Sequence, residues 1–193
     1  MTIVLQDEFD FLDSNKSAKM KETLEILFDK SIELGDETFT EKQIITKWLG
    51  NLPADKAEIE NAEKRLGLKL PQDYIEMLSI ANGFLTCSNS VEPSFQKVEK
   101  IDFYKNFQWN VIGTWKEMEE LDNVVSELER AIMIAGFEEE QQFLLIPPND
   151  GQGKWKYWKF AMWIPGEEEY QDLKSYFDNV IQFLNRLISE KQK

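Results

Sequence analysis

Apolar residues recur at helical spacing through the first 83 positions and again near the end of the chain, and at strand spacing in between. The clearest stretch is residues 55–83, DKAEIENAEKRLGLKLPQDYIEMLSIANG. Ile59, Ala62 and Leu66 lie at i, i+3 and i+7 and form one stripe, with Glu60, Glu63, Lys64 and Arg65 expected toward water. Asp55 and Glu58 have capping-box spacing, in which each side chain satisfies a backbone N–H that the first turn leaves unpaired. Gly67 ends this helix, and Leu68 is placed to fold back on its last turn. Pro71 opens the next helix, where a missing N–H costs nothing, and Asp73 adds charge near the positive end of its dipole. Tyr74, Ile75, Leu78 and Ala81 are its apolar face, and Asn82-Gly83 its stop.

The same reasoning predicts a helix over residues 17–34 that Gly35 ends, with Met20, Leu24, Leu27, Phe28, Ile32 and Leu34 as its buried side; residues 1–16 read as an acidic turn region. Thr40 and Gln43 form a second capping box, opening a short helix that carries Ile44, Ile45, Trp48 and Leu49 up to Gly50. After Gly83 the pattern becomes strand-like over 84–87 and 95–109, with a polar loop between. Thr114 and Glu117 predict one more helix, with Met118, Leu121, Val125 and Leu128 as its stripe and a break near Asp122. Strands follow over 131–137, 142–146 and 155–164, separated by Glu138-Glu139-Glu140 and by the Pro/Gly-rich 147–153, so antiparallel neighbours are expected. A last helix over 167–190 places Leu173, Tyr176, Phe177, Val180, Ile181, Leu184, Leu187 and Ile188 on one side. The sum is an α+β fold, a mainly antiparallel sheet flanked by helices, divided into an N-terminal helical extension (1–35) and a domain over 36–193.

The ordered set Glu63, Leu66-Gly67, Leu70-Pro71, Asp73-Tyr74 and Asn82-Gly83 resembles the N-terminal signature of the SMI1/KNR4 (SUKH) superfamily, and the resemblance extends over roughly residues 36–193. It implies an SMI1/KNR4-like α+β domain that binds other proteins. Bacterial members are mostly immunity partners of secreted or contact-delivered toxins, and fungal members resemble scaffolds of cell-wall control.

Charge narrows the class of partner. Across 193 residues, 36 acidic side chains face 22 basic ones, a net charge of −14. Such a surface repels nucleic acid and anionic lipid and attracts a basic protein. No apolar run reaches the roughly 20 residues that span a bilayer, and the start MTIVLQDEFDF lacks a basic signal-peptide region. With one cysteine, Cys87, no disulfide forms within the chain, so a soluble cytoplasmic protein is expected.

The chain contains no histidine, which removes the commonest general base and the Ser-His and Cys-His couples. Residues 151–154, GQGK, lack the spacing of a phosphate-binding loop, and Asp7, Glu8, Asp10 and Asp13 lack that of a calcium loop. No catalytic, cofactor or metal residues are assigned. Binding residues are expected instead in the acidic run Glu138, Glu139, Glu140 and in the strand WKYWKFAMWI. Alternation there puts Trp158 and Phe160 on one face and Trp155, Tyr157 and Trp163 on the other. Either this is a central strand covered on both sides, or Trp155, Tyr157 and Trp163 form an aromatic anchor rimmed by carboxylates. The expected function is an immunity protein that neutralises a cognate toxin, a basic nuclease being one class. The alternatives are a regulatory scaffold and an enzyme built on paired carboxylates.

Overall fold

The structure is a computed structural model that describes residues 3–36, 38–85, 92–107, 111–149, 153–161 and 167–193; within 3–16, and at Glu119, it describes the backbone alone. The elements are α1 (Ile3–Leu34), α2 (Glu41–Thr46), α3 (Lys56–Leu66), α4 (Gln72–Ile80), β1 (Asp102–Phe103), α5 (Val111–Trp115), α6 (Asp122–Leu128), β2 (Ile132–Ala135), β3 (Gln142–Ile146), β4 (Lys156–Phe160), β5 (Glu167–Tyr170) and α7 (Leu173–Lys191). The strands form one antiparallel sheet in the order β1-β2-β3-β4-β5, an α+β fold.

The helical signals act as the residue pattern requires. Thr40, Asp55 and Asp172 are N-caps, each in a reciprocal capping box with the residue three positions on. Ile59, Ala62 and Leu66 are buried, as are Tyr74, Leu78 and Ala81. Gly83 sits at φ +90°, and a Cβ there would lie 2.9 Å from the Phe95 carbonyl oxygen, so both backbone conformation and space demand glycine. Glu63 departs from expectation, being only 6% exposed. Its carboxylate accepts the Leu70 N–H at 3.1 Å and pairs with Lys69 at 2.5 Å, closing the turn between α3 and α4.

Further expectations change. Residues 3–16 continue α1 and are not a turn region. α2 ends at Thr46 because Lys47 takes the left-handed conformation (φ 51°), so Trp48 and Leu49 lie beyond it, and Ile44 and Ile45 are exposed, not buried. Thr114 falls inside α5, not at a cap, and the following helix begins at Asp122. Of 95–109, the described residues 95–107 form a strand only at Asp102–Phe103, preceded by a turn at 98–100 and an isolated bridge at Phe95, and residues 108–109 lie outside the described residues. The last helix starts at Leu173 and not at Glu167. Its cap is Asp172, and the three glutamates before it belong to β5, pinned in register against β4 by Tyr157↔Tyr170 and Phe160↔Glu167.

The sheet buries both faces. α1, α3, α4 and α7 cover one, where Phe143, Leu145 and Tyr157 meet Leu24, Tyr74, Met77, Tyr176, Phe177 and Leu184. Phe95, Phe143, Tyr176 and Phe177 form a ring cluster there, with Phe143 and Tyr176 centroids 4.3 Å apart. The other face packs Leu144, Ile146, Trp158 and Phe160 against Tyr104 and Leu128, with Trp115 alongside. The part of α1 from residue 17 contributes Met20, Leu24, Leu27, Phe28 and Leu34 to the first of these clusters. Lys191 of α7 donates to the Leu34 carbonyl at 2.7 Å, joining the ends of the two helices.

Candidate functional site

The register of the sheet decides which predicted binding residues meet. Gln142, Phe160 and Glu167 are directly paired across β3, β4 and β5, and the next row is Phe143, Lys159 and Glu168. The turn that carries Glu138, Glu139 and Glu140 joins β2 to β3 just before Gln142, so it shares this end of the sheet with Glu167 and Glu168. Trp155 precedes β4 at the far end, beyond the Ile146↔Lys156 pair. Five residues at about 3.3 Å each put it roughly 16 Å from the Phe160 row. The acidic turn and Trp155 therefore do not form one anchor with a rim.

Within the turn the glutamates differ. Glu138 adopts φ 64° and is exposed, as is Glu140. Glu139 is half-buried: its carboxylate accepts the Ser94 N–H and its carbonyl the Gln142 side-chain amide, both at 2.8 Å. It holds the turn in place. Gly136, at the base of the turn, has φ +81°, and a Cβ would fall 1.9 Å from the Gln141 carbonyl oxygen.

The aromatic expectation is corrected at Tyr157, which is 4% exposed and donates its hydroxyl to Asp73 at 2.6 Å. Burial, then the Asp73 carboxylate, pushes that phenol well above its usual range. Trp155 is half-buried against the main core, and Trp163 lies outside the described residues. With Trp158 and Phe160 filling the opposite cluster, β4 is a central strand covered on both sides.

Beside the acidic end, β4, β5 and α7 enclose a recess of about 560 Å³ lined by Glu92, Lys159, Glu168, Asn179, Gln182, Phe183 and Arg186. At its base Lys159 Nζ pairs with Glu92 at 2.9 Å, and the Tyr176 hydroxyl donates to the other Glu92 oxygen at 2.7 Å. Burial raises the Glu92 carboxyl above the ordinary glutamate range, opposed by Lys159 and Tyr176 and reinforced by Glu168. A raised carboxyl in a recess is a feature of acid–base sites. Here both oxygens are engaged and the side chain is enclosed, which suits a structural ion pair. At the mouth, Glu168 accepts the Tyr170 hydroxyl at 2.7 Å, and the Arg186 guanidinium lies over the Phe183 ring at 5.1 Å. Asn179, Gln182, Phe183 and Arg186 follow the i, i+3, i+4, i+7 spacing of one helix face. Among the described residues no group of three or more acidic, cysteine or histidine side chains is arranged to hold a metal ion, and no helix is long and apolar enough to cross a membrane.

Sequence reasoning missed Glu92, Lys159 and the role of Asp73. The available signal was Lys159, a cation on the same strand face as Tyr157, which a buried strand tolerates only when paired. Glu92 is 67 residues away from it in sequence, and no local pattern announces such a partner.

Comparison with known proteins gives a consistent result. No curated protein matches the chain. The model of the SMI1 / KNR4 family (SUKH-1) matches residues 53–186, from the loop before α3 into the last turns of α7. That span contains every strand of the sheet, the acidic turn and the recess. The chain belongs to the SMI1 / KNR4 (SUKH-1) family.

Proposed function

We propose that this chain is a non-catalytic binding module that acts as an immunity protein, holding and neutralising a basic toxin domain, with nucleases as the class whose cationic cleft suits it. Family membership is consistent with an immunity-type or SMI1-type protein. The observation that carries the reading is the convergence of Glu138, Glu140, Glu167 and Glu168 at one end of the sheet of a chain with net charge −14. Clustered carboxylates of this kind steer a cationic partner into encounter and compete with phosphate for its surface. Residues 36–193 act in this reading as the binding domain and residues 1–35 as a helical extension, whose Met20, Leu24, Leu27, Phe28 and Leu34 pack on it.

The test is association of the chain with a basic toxin domain that it protects against in co-expression. Raising ionic strength from about 50 to 500 mM shortens the screening length from roughly 14 to 4 Å and should slow association much more than it speeds dissociation. E138Q/E140Q should slow association severalfold while leaving the thermal melt unchanged, since both residues are exposed and glutamine keeps their size. An association rate indifferent to both salt and this variant overturns the reading. A partner that binds at this end yet keeps its full activity identifies a scaffold instead.

A further inference from the structure

Among the described residues β5 is the last strand of the sheet, and nothing pairs with its outer edge. Glu167–Tyr170 pairs only with β4, and among the described residues no other backbone hydrogen bond reaches these four residues. The two central residues, Glu168 and Glu169, are exposed. An open edge presents a row of unpaired N–H and C=O groups that can template another strand. The opposite edge strand, β1, has only two residues.

What could pair there is limited by charge and by space. Two copies of this chain joined edge to edge would set Glu167, Glu168 and Glu169 against their own counterparts, which like-charge repulsion disfavours. A strand carrying lysine or arginine is attracted by the same three residues. Alternation directs Glu168 to the α7 face with Lys159 and Phe143, and Glu167 and Glu169 to the other face, where Glu169 accepts the Trp158 indole N–H at 2.9 Å. Side chains of an added strand would alternate in the same way. Those on the α7 side would enter the recess of about 560 Å³, where Asn179 and Gln182 supply amide donors and acceptors beside the Phe183 ring. Those on the other side would meet Glu167 and Glu169.

We propose that a basic, extended segment of the protein partner adds to β5 as a sixth strand, with polar side chains filling the recess against α7 and lysines or arginines facing Glu167 and Glu169. This rests on the binding reading above and names the element of the partner that is recognised.

Two peptides of equal length and charge provide the probe: an octapeptide of alternating lysine and threonine, and its counterpart with every threonine replaced by proline, which cannot donate along a ladder. In an NMR titration of the full chain, the first should shift the amides of Glu167–Tyr170 and residues 179–186 and show backbone contacts to β5, and the second should do neither. E167K, which reverses a charge at the start of β5 opposite Phe160, should weaken binding of the first peptide at least threefold, and the more conservative E167Q should weaken it in the same direction. Equal binding of both peptides, or shifts that map elsewhere, overturns strand addition. Amide exchange separates the two levels of the argument. A basic partner that binds in a salt-sensitive way while β5 amides exchange as fast as in the free chain refutes strand addition and leaves the binding reading intact. Partner binding unaffected by salt refutes the binding reading itself.

Discussion

Replacing Asp73 by alanine should destabilise the fold by about 3 kcal/mol, because one carboxylate joins three elements. Its Oδ1 accepts the Tyr157 hydroxyl of β4 at 2.6 Å and the Tyr74 N–H of α4 at 2.9 Å, while Oδ2 accepts the Leu173 N–H at the start of α7 at 3.0 Å. The Tyr74 N–H also reaches the Pro71 carbonyl at 3.1 Å and keeps a partner without Asp73. The Tyr157 hydroxyl and the Leu173 N–H are left unpaired, and an orphaned buried donor costs about 1–3 kcal/mol. Asp73 itself is only partly buried, so water recovers part of the loss and the sum falls in the lower half of the about 2–6 kcal/mol that two groups would cost. For a chain of this size that is a fall in Tm of roughly 6–12 °C. Urea denaturation of D73A, Y157F and the double variant isolates the side-chain pair. Y157F alone should cost about 1 kcal/mol, and the coupling between the two should be about 1–2 kcal/mol. A coupling energy within about 0.3 kcal/mol of zero would refute the claim that this contact binds β4 to α4.

Two further outcomes follow from the core and the recess. Phe177→Ala, which removes a buried ring from the cluster with Phe95 and Tyr176, should cost about 3–5 kcal/mol by urea titration, and a melt lowered by only a degree or two would mean that α7 is not part of the cooperative core. The raised Glu92 carboxyl sets a pH dependence. A folded-state value above the unfolded one makes its contribution greatest below the unfolded value, and that contribution is lost as pH rises through the folded value. Stability of the wild type relative to Glu92→Gln should therefore decline as pH rises through and above the ordinary glutamate range, and a difference that stays constant or grows with pH would show that Lys159, not burial, governs this site.

The sequence by itself determined the local starts and stops. Capping boxes at Thr40 and Asp55, the turn at Gly67 and the glycine at 83 are legible because each is satisfied by backbone groups within a few residues. The strands at 132–135, 142–146 and 156–160 were legible for the same reason, since alternation and turn residues are short-range signals. The signature residues Glu63, Asp73 and Asn82 were visible as a pattern, but their work was not. Glu63 holds Leu70, Asp73 holds Tyr157 and Leu173, and the Asn82 side chain accepts the Val98 N–H at 2.7 Å.

Tertiary structure alone decided the rest. Glu167-Glu168-Glu169 has the composition of a first helical turn, and only pairing with β4, together with Tyr170 packing on Tyr176, makes it a strand. That Tyr157, Trp158 and Phe160 are all buried was decided by what lies above and below the sheet, which periodicity cannot specify when both faces are apolar. Strand register then sent Trp155 and the acidic turn to opposite ends and brought Glu138, Glu140, Glu167 and Glu168 to the same one. The Lys159–Glu92 pair came from the same source. Its two charges are remote in the chain, and the cost of burying either alone is met only when the fold brings them together.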